Sequence, residues 1–517
     1  FSRRRFMQSG SAGALGLGLA LGACEEPSST SLISGPWGTP REGGEETLLP
    51  SSVRPDGVLE LFLFGAINPW DTFYVVPDFG HPDQGGPLAG TMWWTFQNTA
   101  ENIPDWFAAC QGGSRPLLEA PWALDGVNNP VHLGPFLYPL RDRPDIVRRM
   151  RMWVMAHDQA AHETGIPLSL CGHPQSSARM ASTPAHLERF LQARDDGSRR
   201  NPWTGVIYPS LQDTSALNAE VASAVGLHRG SARPLSLRLG PNGLMGDGLD
   251  RAAVGSRRDA VDQAVGYYLD RYEQRMLRSD TGERIRSGSL DDFRTGRSAL
   301  SRSDAILALL GPDAFTGASG ESCGDFSDTD YSRMGLRLAV RMLTDPSEAA
   351  RFVTLVDGGL LPALGGAAYD THFRHVHHSA RNLVHTFSEL VSRINEPGED
   401  DPEKLDLDRQ TVLVTTEFGR TPYAVGDGLN HWSGGYVVVA IGGPFDEERS
   451  GIVGSIGEDG YAVDSITPTD LRAALLLAQG IWPFTPESFA VADISANTLN
   501  EVEAAVYLRE HVLGYRL

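Results

Sequence analysis

Apolar positions along the chain fall into two rhythms. Residues 58–64, Val58-Leu59-Glu60-Leu61-Phe62-Leu63-Phe64, make a short and nearly continuous apolar run between Gly57 and Gly65. A run of that length with glycine at both ends predicts a buried strand. Residues 152–156, 352–356, 411–415 and 436–441 repeat the pattern. Strands without polar alternation belong to sheets covered on both faces, which are mainly parallel. The stretches between them carry the helical period. Over residues 371–394, Phe373, Val376, Ala380, Leu383, Val384, Phe387, Leu390, Val391 and Ile394 share one face at about 100° per residue. His375, His378 and His385 fall opposite and are expected in solvent, with His372 at the helix start near the edge of the apolar face. A second helix, over residues 469–479, is announced by Thr467-Pro468-Thr469-Asp470, a capping sequence with acid in the first turn. Together these elements predict an α/β class, with a mainly parallel central sheet and helices on both faces.

The ends and the middle of the chain read differently. Ser2-Arg3-Arg4-Arg5-Phe6-Met7-Gln8 has the paired arginines of a twin-arginine export signal. The apolar stretch over residues 11–21 is too short to span a bilayer and has the length of a signal core. Leu21-Gly22-Ala23-Cys24 then has the form of a lipoprotein cleavage site. The expectation is a signal over residues 1–24, a lipid anchor to the membrane at Cys24, passage through the twin-arginine machinery, and a cell-envelope location facing the periplasm or exterior. Residues 25–55, dense in Ser, Pro, Gly, Thr and Glu, are expected to be a disordered tether. Residues 56–517 show neither a further linker nor an internal repeat, so one large domain is expected. Residues 216–326, rich in Arg, Ser, Gly and Asp, are read as an insertion within it, helical around residues 261–277.

Charge narrows the partners. The formal net charge is −21, and three units more negative once Arg3, Arg4 and Arg5 leave with the signal. Such a surface repels polyanions and excludes nucleic acid as a natural ligand. With Cys24 taken by lipid, Cys110, Cys171 and Cys323 form at most one disulfide, and no close Cys/His spacing suggests a zinc knuckle.

Candidate chemistry sits just past the strand runs, where open α/β sheets bind ligands. Asn68-Pro69-Trp70-Asp71-Thr72 follows the first run. His157-Asp158 and His162-Glu163-Thr164-Gly165 follow the second. Tyr369-Asp370-Thr371-His372 comes after the third and its glycine-rich loop. Thr416-Glu417-Phe418-Gly419-Arg420-Thr421-Pro422 and Asn430-His431-Trp432 follow the fourth. Carboxylates and imidazoles gathered at one edge suit a divalent cation, which lowers the pKa of bound water, and two such ions would clamp a phosphoryl displacement. Each residue also has a structural alternative. Glu417 and Arg420 could pair as a salt bridge, and Asp370 could cap the helix behind it. Thr72 and Thr164 are equally ordinary turn residues, and no nucleophile stands out.

Residues 58–72, 351–372, 411–432 and 451–482 resemble the domain-of-unknown-function 1501 family of exported bacterial proteins, itself similar to the alkaline phosphatase and sulfatase superfamily. Thr416 to Pro422, Asn430-His431-Trp432 and the stretch from Gly451-Ile452-Val453-Gly454 to Ile466-Thr467-Pro468 carry most of that resemblance. It implies an alkaline-phosphatase-like fold and a metal centre of Asp71, Asp370, His372, Glu417 and His431, holding zinc, manganese, magnesium or calcium. Arg420 would be the catalytic residue, meeting an anionic substrate group. The chain departs from the family where Ala368-Tyr369 replaces Gly-Trp before Asp370 and where Asn430 replaces an Asp before His431. Glu417 also stands where the superfamily's phosphatases place an Asp-His pair, which counts against a complete second metal site. The implied function is hydrolysis of phosphate or sulfate esters. The alternative is a non-catalytic envelope lipoprotein that binds a glycan or protein partner through a degenerate site.

Overall fold

The computed structural model describes residues 37–80, 120–192, 204–209, 222, 234–240, 243–245, 256–276, 331–346, 349–359, 369–370, 372, 375–423, 425, 428–485 and 487–516. These belong to one unit, Pro36–Leu517. The strands of its main sheet are β1 (Gly57–Leu63), β2 (Met150–Met155), β3 (Thr204–Pro209), β4 (Leu235–Gly240), β5 (Gly243–Met245), β6 (Phe352–Asp357), β7 (Gln410–Thr415), β8 (Tyr436–Gly442) and β9 (Gly451–Val453). Their order across the nine-stranded sheet is β9-β2-β8-β7-β1-β6-β3-β4-β5. All run in one direction except β8 and β5. The expected α/β class with a mainly parallel sheet is therefore present, and all five expected strands form. Residues 436–441 make an antiparallel strand, a direction that an apolar run does not encode.

Successive side chains of a strand leave opposite faces, and both faces are dry here. Met150, Met152 and Val154 join one core with Val412, Val414, Val437 and Val439. Trp153, Met155, Leu413, Val438 and Ala440 join the other. That is why these runs do not alternate with polar residues. The described helices are α1 (His162–Cys171), α2 (Thr183–Gln192), α3 (Ser256–Met276), α4 (Tyr331–Thr344), α5 (His375–Ser392), α6 (Pro468–Ala478) and α7 (Glu501–Tyr507), beside short single turns. On the first face α4 packs on β6, β1 and β3, and α5 packs on α4. On the second face α6 packs against α1, α2 and the turn Leu508–Val512. The cap of α6 forms as expected: Thr467 Oγ1 accepts from Asp470 N, and the Asp470 carboxylate accepts from Thr467 N.

The sheet also buries an ion pair. Arg472 of α6 donates to Glu60 of β1 at 2.5 Å, both side chains being about 1% exposed. Thr354 and Thr415 hydroxyls donate to the same carboxylate, and Arg472 also donates to Ser169 O and Thr183 Oγ1. Burying a charge is tolerable only with such complete pairing.

Three expectations need correction. Residues 37–55 are not a disordered tether. Trp37 stacks on His186 with its rings 5.8 Å apart, Leu49 is fully buried, and Glu45–Thr47 and Ser51–Val53 form helical turns. Aromatic and aliphatic residues scattered among the prolines are enough to dock this segment. His385 is not solvated but 2% exposed, because α5 is covered by α4 on one side and by the turns Pro135–Leu137 and Tyr138–Arg141 on another. The side chains of His375 and His378 lie outside the described residues. Part of the expected insertion, β4 and β5, extends the main sheet instead, while α3 supplies the helix expected near residues 261–277. The signal over residues 1–24, the tether up to residue 36, Cys110 and Cys323 lie outside the described residues. Cys171 is a buried free thiol, donating to Ala222 O at 3.3 Å, and burial pushes its pKa up to about 12.

Candidate metal centre

The carboxyl ends of β1, β6 and β7 lie level, because Phe62 pairs with Val356 on one side and Thr415 on the other. Residues following those ends therefore share one edge. Past β1 the backbone turns through Gly65 (φ 108°) and Ala66 (φ 74°). Left-handed backbone costs a non-glycine residue roughly 1–2 kcal/mol, and here it aims the carbonyls of both residues at the Arg420 guanidinium. Past β6, Tyr369 N donates to Phe64 O at 3.0 Å, laying Asp370 against that turn. A Cβ at position 65 would stand 2.4 Å from the Asp370 nitrogen, so glycine is required.

Two further elements complete the edge. Gly419–Arg420 pairs antiparallel with His431–Trp432, setting Arg420 opposite His431. The next strand, β8, enters the sheet from the carboxyl edge of its neighbours, and so residues just before it are delivered to the same place as residues just after β1, β6 and β7. Strand β2 runs parallel to these, and α1 starts at His162 shortly after it.

One nitrogen or oxygen each from His162, Asp370 and His431 lie within 4.8 Å of one another. His162 Nε2 is 3.5 Å from Asp370 Oδ2, and His431 Nε2 is 3.4 Å from Asp370 Oδ1. His372 Nε2 adds contacts of 3.1 Å to Asp370 Oδ1 and 3.0 Å to His431 Nε2. Donor atoms bound at about 2.0–2.1 Å to one tetrahedral ion stand roughly 3.3 Å apart; the contacts of His162 and His431 to Asp370 match that spacing, and the whole set lies within 4.8 Å. The other ring nitrogens are held from behind. His162 Nδ1 lies 2.8 Å from Glu417 Oε1, and His431 Nδ1 lies 2.7 Å from Ala160 O. An acceptor at Nδ1 draws the proton there and turns Nε2 toward Asp370, the orientation that metal-binding histidines use. Buried His162 Nε2 has no hydrogen-bond partner, its 3.5 Å contact being too long for one. The donor set therefore fits a metal.

The electrostatics agree. Burial opposes a charge on His162, but Asp370 and Glu417 outweigh it and raise its pKa to about 10. The pocket therefore favours a cation, and a metal ion would take the place of that proton. Burial pushes the Asp370 carboxyl up, yet His162, His431 and Arg420 outweigh it and hold it far below the usual range. His372 is lowered chiefly by burial, with Arg420, His431 and His162 adding to that and Asp370 opposing it.

Of the residues expected as ligands, Asp370 and His431 converge and His372 borders them on the exposed side. Glu417 lies one layer back. It is fully buried and accepts from Gly65 N at 2.9 Å and Thr416 Oγ1 at 3.2 Å besides contacting His162. Asp71, buried in the turn Pro69–Asp71 with the Asn68 amide donating to it, is not in the converging set. Arg420 is fully buried rather than facing a substrate. It donates to Gly65 O, Ala66 O, Leu429 O and Asp370, and so fixes the carboxylate. Thr72 donates to Asn68 O and Thr164 to Ala161 O, both local turn contacts. The member of the converging set not named as a ligand from the sequence is His162. Its signal was position alone, since it follows a strand run, and the six residues between Met155 and His162 obscured that.

Fold and site together define an α/β protein with a histidine and carboxylate cluster that could hold a metal ion at the carboxyl edge of a mainly parallel sheet. Residues 316–485 are similar to the family described as "Protein of unknown function (DUF1501)". The matched segment carries Asp370, His372, Glu417, Arg420 and His431, whereas His162 lies outside it. No curated protein matches the chain.

Proposed function

We propose that this chain is a metal-dependent hydrolase of phosphate or sulfate esters, exported to the cell envelope and anchored to the membrane by lipid at Cys24. The observation that carries the metal reading is the convergence of His162, Asp370 and His431 with each histidine's Nδ1 held by its own acceptor. Nitrogen with carboxylate oxygen suits zinc or manganese better than magnesium or calcium, which favour all-oxygen shells. A bound ion would act as a Lewis acid on the ester and lower the pKa of bound water. The chain's own groups divide the remaining work. Glu417 and the Ala160 carbonyl orient two imidazoles, Arg420 holds Asp370, and half-exposed His372 presents an Nε2 that can carry a proton at the open side. His162, Asp370 and His431 would be the residues that hold the ion, and three protein ligands are the number that catalytic zinc sites use.

The ester class rests on the resemblance to the alkaline phosphatase and sulfatase superfamily, because Arg420 is spent inside the fold. That inward Arg420, with Asn430 beside His431, favours a second reading: an envelope protein that binds a glycan or protein partner without catalysis. Elemental analysis of the purified chain, with turnover of p-nitrophenyl phosphate and p-nitrophenyl sulfate, tests both. About one zinc or manganese per chain is expected, with hydrolysis, and His162→Ala should lose both. Metal without hydrolysis puts the second reading ahead. A chain that takes up neither metal overturns the metal reading.

A further inference from the structure

Behind the cluster stands a carboxylate that contacts none of its ligands. Asp357, the last residue of β6, is 1% exposed. Its Oδ1 accepts from Gly359 N at 2.8 Å and from the Ser332 hydroxyl of α4. Its Oδ2 accepts from the Tyr369 phenol at 2.6 Å and from Thr386 Oγ1 of α5 at 2.7 Å. Burial pushes the Asp357 carboxyl up and these donors hold it back. Among them Tyr369 has a distinct place. It is fully buried, it precedes Asp370 directly, its phenol contacts Asp357 and, at 3.2 Å, Thr386 Oγ1, and its backbone N–H donates to Phe64 O. Tyr369 is thus pinned at both ends, by its ring and by its backbone, and the next residue is the carboxylate on which His162, His372 and His431 converge.

We propose that Asp357 is a positioning residue for the metal centre, acting through Tyr369 to fix the Asp370 carboxylate. The inference rests on the metal reading above. Asparagine at position 357 keeps the shape but offers one acceptor oxygen in place of two, and turns an amide N–H toward hydroxyls that now donate. Outer partners of metal ligands typically set affinity by about 10- to 100-fold.

The test compares Asp357→Asn, Tyr369→Phe, the double variant and Ser332→Ala with the unaltered chain. Zinc affinity is read by competition with a chromogenic chelator, ligand geometry by the visible spectrum of the cobalt-loaded protein, and folding by thermal unfolding of the metal-free form. Asp357→Asn and Tyr369→Phe should each weaken zinc binding about tenfold or more and alter the cobalt spectrum. The double variant should be little worse than either alone, because both cut one link. Ser332→Ala, on the far oxygen, should change affinity less than about threefold. Tyr369→Phe removes a single oxygen and keeps the test open if Asp357→Asn fails to fold. Native affinity and spectrum in Tyr369→Phe, or additive losses in the double variant, overturn the inference. Absence of zinc binding by the unaltered chain would sink the metal reading itself and is distinguishable from that result.

Discussion

At the scale of single residues, Gly65 is the position on which the site turns. Its N–H donates to Glu417, its carbonyl accepts from Arg420, and its bare Cα lets Asp370 pass. A methyl group there would meet the Asp370 nitrogen at 2.4 Å and would also hold an alanine at φ 108°. Strained backbone and overpacking each cost about 1–3 kcal/mol, so Gly65→Ala is expected to destabilise by about 2 kcal/mol or more and to lower zinc content. Chemical denaturation and elemental analysis check the two effects. Full zinc occupancy in that variant would mean that Asp370 is not held where the contacts put it. Before the fold is known, Gly65 reads simply as the glycine closing a strand, since nothing local tells that another segment crosses it.

Among the elements, α4 and α5 are tied by charge as well as by packing. Glu389 of α5 accepts from Arg337 of α4 at 2.9 Å and from Arg393 at 2.8 Å, with its own side chain 6% exposed. Burial would raise its pKa, but the two arginines outweigh that and lower it below the ordinary 4.5. The sign follows from linkage. A carboxyl depressed in the folded state contributes its full stability above its unfolded pKa and loses it as pH falls through the folded value. Glu389→Gln is therefore expected to cost about 2 kcal/mol at pH 7 and progressively less below pH 4.5. Urea unfolding at pH 7 and pH 3 compares the gap, and a gap equal at both would rule the ion pair out as its source. Apolar period alone placed the packed face of α5 well, at Leu383, Val384, Phe387 and Leu390. It missed His385 because the opposite face is buried by elements from elsewhere in the chain.

For the molecule as a whole, the proposed envelope location rests on residues 1–24, which lie outside the described residues. Cys24→Ala should release unlipidated protein, and replacing Arg3 and Arg4 with Lys should leave precursor in the cytoplasm. Labelling cells with radioactive fatty acid checks the anchor, and equal label on the Cys24→Ala chain would exclude it. No described helix is long and apolar enough to cross a membrane.

The sequence by itself determined the period of each element, the α/β class and the placing of Asp370 and His431 beyond strand ends. Burial on both faces leaves a run continuously apolar, and a helix writes its core face every three to four residues; both marks are local. Only the tertiary structure decided that β8 runs against its neighbours, that His162 rather than Glu417 meets Asp370 directly, and that Arg420 turns inward. Those outcomes depend on strand order and on differences of a few ångströms between residues hundreds of positions apart, as in Glu417 and Gly65 at a separation of 352. An apolar pattern records which side of an element is dry, and it carries no mark of which distant residue covers it.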